Sequence, residues 1–146
     1  MAVQSPRTGN HRNPRTAEEA RAFVHHVESL FMPWDVDALV DGFTADCRVR
    51  FGTIPEFRGR EALRTFFRTR STKQQGYRLH KQIRALMGDV IANVWQGEWE
   101  DADTRQRMRG FGVAIWLMQD GKIAAWEAAF NSAPADQTMD LGKMLG

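Results

Sequence analysis

The chain has little of several features on which other small proteins depend. It contains one cysteine, Cys47, which excludes an internal disulfide and is typical of a reducing compartment. No apolar run approaches the roughly 20 residues that cross a bilayer. The N-terminus also lacks the apolar segment of a signal peptide. We therefore expect a cytoplasmic protein with no membrane partner.

The chain also lacks a strong excess of either charge. Its formal net charge is +2 and its sequence pI is about 9.0, with acidic and basic residues interspersed. No basic stripe with interleaved aromatics is present, so no nucleic-acid partner is expected. His25 and His26 are adjacent and cannot share one helical face, and the histidines show no spacing typical of metal ligands. We expect no metal and no cofactor.

Aromatic residues, by contrast, are plentiful. The 146 residues include five Trp and nine Phe, which predict large aromatic surfaces in a core or in pocket walls. The length favours one domain, and a charged share of 26% is ordinary for a globular protein. We predict a flexible arm over residues 1–15, a domain over residues 16–132 and a tail over residues 133–146.

Apolar residues at helical spacing predict three helices in the first half of the chain. The predicted helices are Thr16–Phe31, Val36–Phe43 and Arg60–Thr72, with Thr16 as the cap of the first and Asp35 as the cap of the second. A strand is predicted between the second and third helices, at Asp46–Gly52. Its cysteine, valine and phenylalanine face one way and its arginines the other.

In the second half the apolar period changes to two, which is typical of strands. Arg78–Met87 and Val90–Glu100 form one predicted hairpin. Met108–Met118 and Ile123–Asn131 form another, joined by an Asp-Gly turn, which is a strong hairpin signal. Helices early and antiparallel strands late predict an α+β fold, with the helices on one face of a curved sheet.

The last predicted hairpin is apolar on both faces. Trp126, Ala128 and Phe130 share one face of its second arm, while Ala125, Glu127 and Ala129 lie on the other. A sheet that is wet on one side would alternate apolar with polar residues. We therefore expect helices or a pocket on one face and a second subunit on the other, which predicts a homodimer.

Several segments, taken in order, resemble a known family. They are Trp34–Leu39 (WDVDAL), Phe43–Asp46 (FTAD), Phe57–Leu63 (FRGREAL) and Asp120–Ile123 (DGKI). The chain resembles the nuclear-transport-factor-2-like superfamily, and within it the SnoaL-like branch, over roughly residues 16–131. The resemblance implies a cone-shaped, strongly bent antiparallel sheet with three helices enclosing a pocket. Members are often dimers through the outer sheet face.

The resemblance limits the reactions that we expect but does not identify one of them. The superfamily includes ketosteroid isomerases, polyketide cyclases, epoxide hydrolases, dehydratases and binding domains, and fold does not give function. The isomerase's base position falls on Phe51, and the acid of cyclases and epoxide hydrolases falls next to Ala128. Both acids are missing here, which argues against steroid isomerisation by the mechanism that uses them. Gln96-x-Glu98 stands where an epoxide hydrolase has an Arg-x-Asp pair.

Two residues are the catalytic candidates, His26 and Glu98. His26 lies on the flank of the first helix's apolar stripe, where it is either a cavity acid or base or a half-wet boundary histidine. Glu98 enters the cone if Gln96 also faces inward, and burial would then raise its pKa. The opposite register buries two tryptophans instead, and a period of two cannot decide between them.

We therefore predict a small-molecule protein with an aromatic pocket. The expected function is binding of a small apolar, cyclic molecule, with proton-transfer chemistry such as isomerisation, cyclisation, dehydration or hydrolysis. The alternative is a non-catalytic ligand-binding or dimerisation module. The predicted ligand-binding residues are Trp34, Phe51, Gln96, Trp126, Ala128 and Phe130.

Overall fold

The computed structural model describes residues 12–137, so residues 1–11 of the predicted arm and residues 138–146 of the predicted tail lie outside the described residues. Three helices precede most of the sheet: α1 (Ala17–Ser29), α2 (Val36–Asp41) and α3 (Arg60–Lys73). The six strands are β1 (Phe43–Phe51), β2 (Phe57–Arg58), β3 (Gln74–Met87), β4 (Val90–Asp101), β5 (Arg107–Gln119) and β6 (Lys122–Pro134). The predicted α+β class is confirmed. None of the helices in residues 12–137 has the length and apolar character to span a membrane.

The helices begin at the side chains that the sequence indicates. The Thr16 hydroxyl accepts the amide N–H of Glu19 at 3.1 Å, and the Asp35 carboxylate accepts that of Ala38 at 3.1 Å. Both satisfy amide groups that a helix start leaves without partners. The second helix ends at Asp41, earlier than predicted, because Phe43 begins β1 and pairs with Ile123 of the last strand.

One sheet contains all six strands, in the order β2-β1-β6-β5-β4-β3. Neighbouring strands are antiparallel except β1 and β6, which run parallel. The register shifts between Gln75 and Arg78, between Ile83 and Ala85, and between Leu117 and Met118. Such irregularities bend and twist strands. The curved sheet closes over α1 and α3 as the predicted cone, whose inside holds the core.

The turn of the central hairpin has the geometry that its sequence predicts. Asp120 has φ of 52° and Gly121 has φ of 78°, as in the turns that match the twist of a hairpin. Asn13 binds this turn, because its Oδ1 accepts the amide N–H of Gly121 at 2.7 Å. Its Nδ2 donates to Asp89 Oδ1 at 2.9 Å, in the turn between β3 and β4. Asn13 therefore ties both hairpin ends to the start of the first helix.

The two faces of β5 differ in the size of their side chains. The inner face carries Gly110, Gly112, Ala114, Trp116 and Met118, all buried. The outer face carries Phe111, Val113, Ile115 and Leu117, which keep between 40% and 52% of their surface exposed. The small residues on the inner face leave space for neighbouring aromatic rings. The large apolar residues on the outer face are not covered by any other part of residues 12–137.

Candidate functional site

An arginine occupies an apolar position of the third helix. Leu63, Phe66 and Phe67 form the buried stripe of α3, and Arg70 continues it at the next helical turn. Because residues three, four and seven apart share a helix face, Arg70 points into the cone with its aromatic neighbours. Sequence reasoning missed Arg70, although the signal was a basic residue in register with this stripe.

The guanidinium of Arg70 lies within a box of aromatic rings. Its central carbon is 5.3–6.0 Å from five ring centroids, those of Phe31, Trp34, Phe51, Phe66 and Tyr77. Contacts of this kind attract a cation to the ring faces. They hold the guanidinium in place without neutralising its charge.

Hydrogen bonds use only part of the guanidinium's donor capacity. Nε donates to Gln74 Oε1 at 3.0 Å, and Nη2 donates to Tyr77 Oη at 3.3 Å. Burial lowers the pKa of Arg70, and no carboxylate contributes to that pKa. Burial also raises the pKa of Tyr77, so its hydroxyl stays neutral. Arg70 is therefore a desolvated cation that no acid among residues 12–137 pairs with.

A pocket of about 280 Å³ is lined in part by Arg70. This volume lies just below the range of about 300–1,000 Å³ that is usual for small-molecule sites. We call it the mouth pocket, and its apolar walls are Phe51, Ile54, Phe66, Trp99, Met108 and Phe130. Asp101 stands at its rim, where it pairs with Lys73 at 3.4 Å and accepts two turn amides. The pocket thus combines aromatic walls with one desolvated cation.

Glycines on the inner face of the sheet allow the aromatic rings to lie against the backbone. A Cβ on Gly97 would come within 2.9 Å of the Tyr77 ring, and one on Gly110 within 3.1 Å of the Trp99 ring. A Cβ on Gly112 would overlap the Trp95 indole. The three glycines therefore set the shape of the aromatic interior.

A second cation lies deeper in the cone. Lys81 of β3 is 4% exposed, and its Nζ donates to Asn93 Oδ1 at 3.2 Å and lies 5.2 Å from the Trp116 ring centroid. Burial first, and then the charge of Arg70, lower the pKa of Lys81 to about 7, while Glu28 opposes that shift. The interior thus holds two basic groups whose positive charges act on each other.

The predicted catalytic pair does not meet inside the cone. Glu98 and Gln96 face outward, so the prediction that they line the interior is wrong. The opposite register of β4 places Asn93, Trp95 and Trp99 inside. Burying two indoles removes apolar surface from water, which is favourable, whereas burying an unpaired carboxylate costs free energy.

His26 also lies away from the mouth pocket. It is exposed on α1 and borders a separate groove with Leu30, Asp41 and Lys122. The prediction that it enters the cone is wrong, because Val24 and Val27 take the buried positions of the helix. Its imidazole and the Glu98 carboxylate therefore cannot act on one ligand.

The other predicted ligand-binding residues lie on the inner side. Phe51 and Phe130 line the mouth pocket, and Trp34 lies against Arg70. Trp126 is buried behind Phe51, with ring centroids 5.1 Å apart. Ala128, half-buried, is the register partner of Phe51 on β6. These five residues surround one aromatic interior. Within residues 12–137, no cluster of three potential metal ligands occurs.

Solved structures with the same fold are similar along most of their length. An epoxide hydrolase/cyclase-like enzyme, SalBIII of pyran ring formation in the polyether salinomycin, has a TM-score of 0.71 at 19% identity. The match covers 80% of this chain and 96% of that one. A candidate polyketide cyclase from Xanthomonas campestris pv. campestris has a TM-score of 0.67 at 20% identity, over 77% and 90% of the two chains.

A third structure, a candidate isomerase from Bacillus subtilis, has a TM-score of 0.69 at 12% identity, over 80% and 90% of the two chains. No functionally curated protein matches the chain. The cone shares its fold with these three structures, so the fold that the resemblance implied is confirmed. Residues 13–140 match the model of the family described as a protein of unknown function (DUF1348), and the chain belongs to that family.

Proposed function

We propose that this protein binds a small, flat, mostly apolar molecule in the mouth pocket. The observation that carries the proposal is the set of aromatic walls around one open cavity that Arg70 also lines. An apolar pocket with few convergent polar groups is the usual form of a small-molecule site. The cyclase and hydrolase names of the structural neighbours support a cone that holds an organic molecule of this kind.

A binding function is better supported than a reaction in which His26 and Glu98 transfer a proton. His26 and Glu98 lie on different outer surfaces. Phe51 occupies the isomerase's base position, and Ala128 stands beside the position of the cyclase acid. A carboxylate at either position would have faced the ligand. The interior group of residues 12–137 whose pKa lies near neutral pH is instead the amine of Lys81.

The test is calorimetric titration of the protein with 2-naphthalenemethanol and with 2-naphthoate, two flat bicyclic probes. We expect at least one of them to bind with a stoichiometry of one per chain. Phe130→Ala removes a pocket wall and should weaken that binding by about tenfold. The matched control is Phe111→Ala, which makes the same change on the outer sheet face. Equal effects of the two substitutions, or no binding of either probe, would refute the proposal.

We also propose a homodimer through the outer face of the sheet. Its centre is the apolar stripe of Phe111, Val113, Ile115 and Leu117, continued sideways by Val94 of β4. The rim carries both charge signs: Arg50 and Glu127 are 4.0 Å apart on one side, and Glu98 pairs in register with Arg109 on the other. An apolar centre with a rim of mixed charge suits a second copy related by a two-fold axis.

We propose a cytoplasmic location with no nucleic-acid or membrane partner. The single Cys47 is a free, buried thiol, as is typical of proteins in reducing compartments. The charged residues on the outer face carry both signs, for instance in the pair of Arg58 and Glu56, rather than a basic stripe. Such a surface gives no general attraction to phosphates.

A further inference from the structure

The unpartnered polar groups inside the cone are mostly hydrogen-bond donors. Within residues 12–137, the buried side-chain atoms without a partner are Trp34 Nε1, Trp126 Nε1, Asn93 Nδ2 and Thr44 Oγ1. The first three are N–H groups, which donate and cannot accept. A buried donor without an acceptor costs free energy unless something else supplies one. The interior therefore lacks acceptors.

The same interior carries one cation without an internal counter-ion. Arg70 is half-buried and is bonded only to the neutral Gln74 and Tyr77. Lys81 is bonded to the neutral Asn93, and the charge of Glu28 acts on it. Burial, and after it the charge of Arg70, lower the pKa of Lys81, so the charge of Arg70 reaches the lysine. Charges that are removed from water are normally paired, and within residues 12–137 Arg70 lacks such a partner.

The acids nearest to the pocket are already engaged. Asp101 at the rim is bonded to Lys73 and to the amides of Asp103 and Thr104, which lowers its pKa. Glu28 accepts the backbone N–H of Lys81 and lies against His25 on the surface of α1. Neither carboxylate reaches the guanidinium of Arg70, whose pKa they leave unaffected.

We propose that the ligand of the mouth pocket is an organic anion, a flat apolar molecule with one carboxylate that binds the guanidinium of Arg70. This inference rests on the proposed binding function and names its ligand class. A carboxylate offers only acceptors and matches the planar fork of a guanidinium with two parallel hydrogen bonds. The aromatic walls take the apolar part, and Arg70 lines the same pocket.

The carboxylate of the ligand also offsets the electrostatic repulsion between Arg70 and Lys81. An anion at Arg70 cancels the charge that acts on Lys81, so ligand binding should raise the proton affinity of the lysine. Binding of the anion near neutral pH is then accompanied by proton uptake. A neutral ligand of the same shape has no such effect. Proton uptake therefore distinguishes a charge-specific site from a merely apolar one.

The experiment compares 2-naphthoate with its neutral counterpart 2-naphthalenemethanol, by calorimetric titration at pH 7.5 in two buffers of different ionisation enthalpy. We expect the carboxylate to bind at least about tenfold more tightly, as a charge-assisted hydrogen bond implies. Its binding should take up a fraction of a proton, which the alcohol should not do. Arg70→Met should abolish the preference, and Arg70→Lys, which keeps the charge without the fork, should retain part of it.

The matched control is Arg68→Met, which removes an exposed arginine from the outer side of the same helix and should leave the preference intact. Circular dichroism establishes that each variant folds. If Arg70→Met does not fold, the wild-type probe pair and Arg70→Lys decide. Equal affinity for both probes overturns this inference and leaves the binding function standing. Binding of neither probe overturns both, and a preference that survives in Arg70→Met overturns the assignment to Arg70.

Discussion

The hydroxyl of Tyr77 accepts a hydrogen bond from Arg70, whose guanidinium also lies 5.7 Å from the Tyr77 ring centroid. This is the only tyrosine of the chain, and it stands on β3 with its ring over Gly97 of the neighbouring strand. A tyrosine gives an acceptor but no negative charge, because burial keeps its pKa raised. The contact therefore orients Arg70 and leaves its charge available to a ligand.

Replacing Arg70 with methionine should stabilise the protein without ligand. Arg70 is half-buried without an acid beside it, so its guanidinium carries part of the desolvation cost of a buried charge, whose apolar replacement often gains about 1–4 kcal/mol. Methionine retains the aliphatic contacts with Phe31 and Phe66. Urea unfolding should show a higher midpoint for Arg70→Met and an unchanged one for Arg68→Met. A loss of stability in Arg70→Met would mean that the aromatic box contributes more than desolvation costs.

Lys81 should make the stability of the fold depend on pH in a specific window. Its pKa is about 7 in the folded protein, against the ordinary lysine pKa of 10.5. Below pH 7 the amine is charged in both states, and folding carries the full cost of burying it. Between pH 7 and 10.5 the unfolded chain holds the extra proton, so stability rises with pH by at most about 1.4 kcal/mol per unit.

The measurement is urea unfolding at pH 6, 7, 8 and 9 for the wild type and Lys81→Met. The difference in unfolding free energy should move in favour of the wild type as pH rises above 7. Lys122→Met removes an exposed amine that donates to the backbone oxygen of Asp41, and it serves as the control. Parallel pH profiles of the wild type and Lys81→Met would show that the buried amine does not titrate in this range.

The sequence predicted the fold because its local signals agree with one another. Caps at Thr16 and Asp35, the helical stripe of α3 and the Asp-Gly turn at Asp120 each appear where predicted. These features depend on neighbours along the chain, so periodicity reveals them. The change of period marked the passage from helices to sheet in the same way.

The site was harder to predict because it depends on which face of each strand points inward. An alternation of Gln96 and Glu98 with Trp95 and Trp99 fits both registers, and only the complete sheet decides. The inner glycines of β5 indicate which face of β4 points inward, since Gly110 and Gly112 leave space for those two indoles. Arg70 was overlooked because a basic residue near a helix end is usually solvated.

Gly112→Ala should destabilise the fold, because the added methyl would overlap the Trp95 indole. Overpacking of this kind costs about 1–3 kcal/mol. The cost should fall when Trp95 is first replaced by leucine, since the indole is then absent. A double-mutant cycle of Gly112→Ala and Trp95→Leu, measured by urea unfolding, should show a coupling energy. Additive effects would mean that Gly112 is required by the backbone conformation rather than by the space that the Trp95 ring occupies.

The outer sheet face provides the last prediction, which concerns assembly. Val113 lies at the centre of the apolar stripe, paired in register with Val94 on one side and Ala129 on the other. In a dimer through this face it would be buried against its own copy, and Val113→Asp would place two carboxylates in that contact. Like charges without partners in an apolar interface oppose association.

Sedimentation equilibrium at micromolar concentration should give twice the chain mass of 16.7 kDa for the wild type and the single mass for Val113→Asp. Arg84→Asp also introduces a carboxylate, with a change of two charge units, on the exposed edge strand β3, away from the stripe, and should remain dimeric. The monomeric variant should keep the wild-type affinity for 2-naphthoate, because the mouth pocket lies on the other side of the sheet. A wild-type mass of one chain would contradict the dimer, as would a dimer that persists in Val113→Asp.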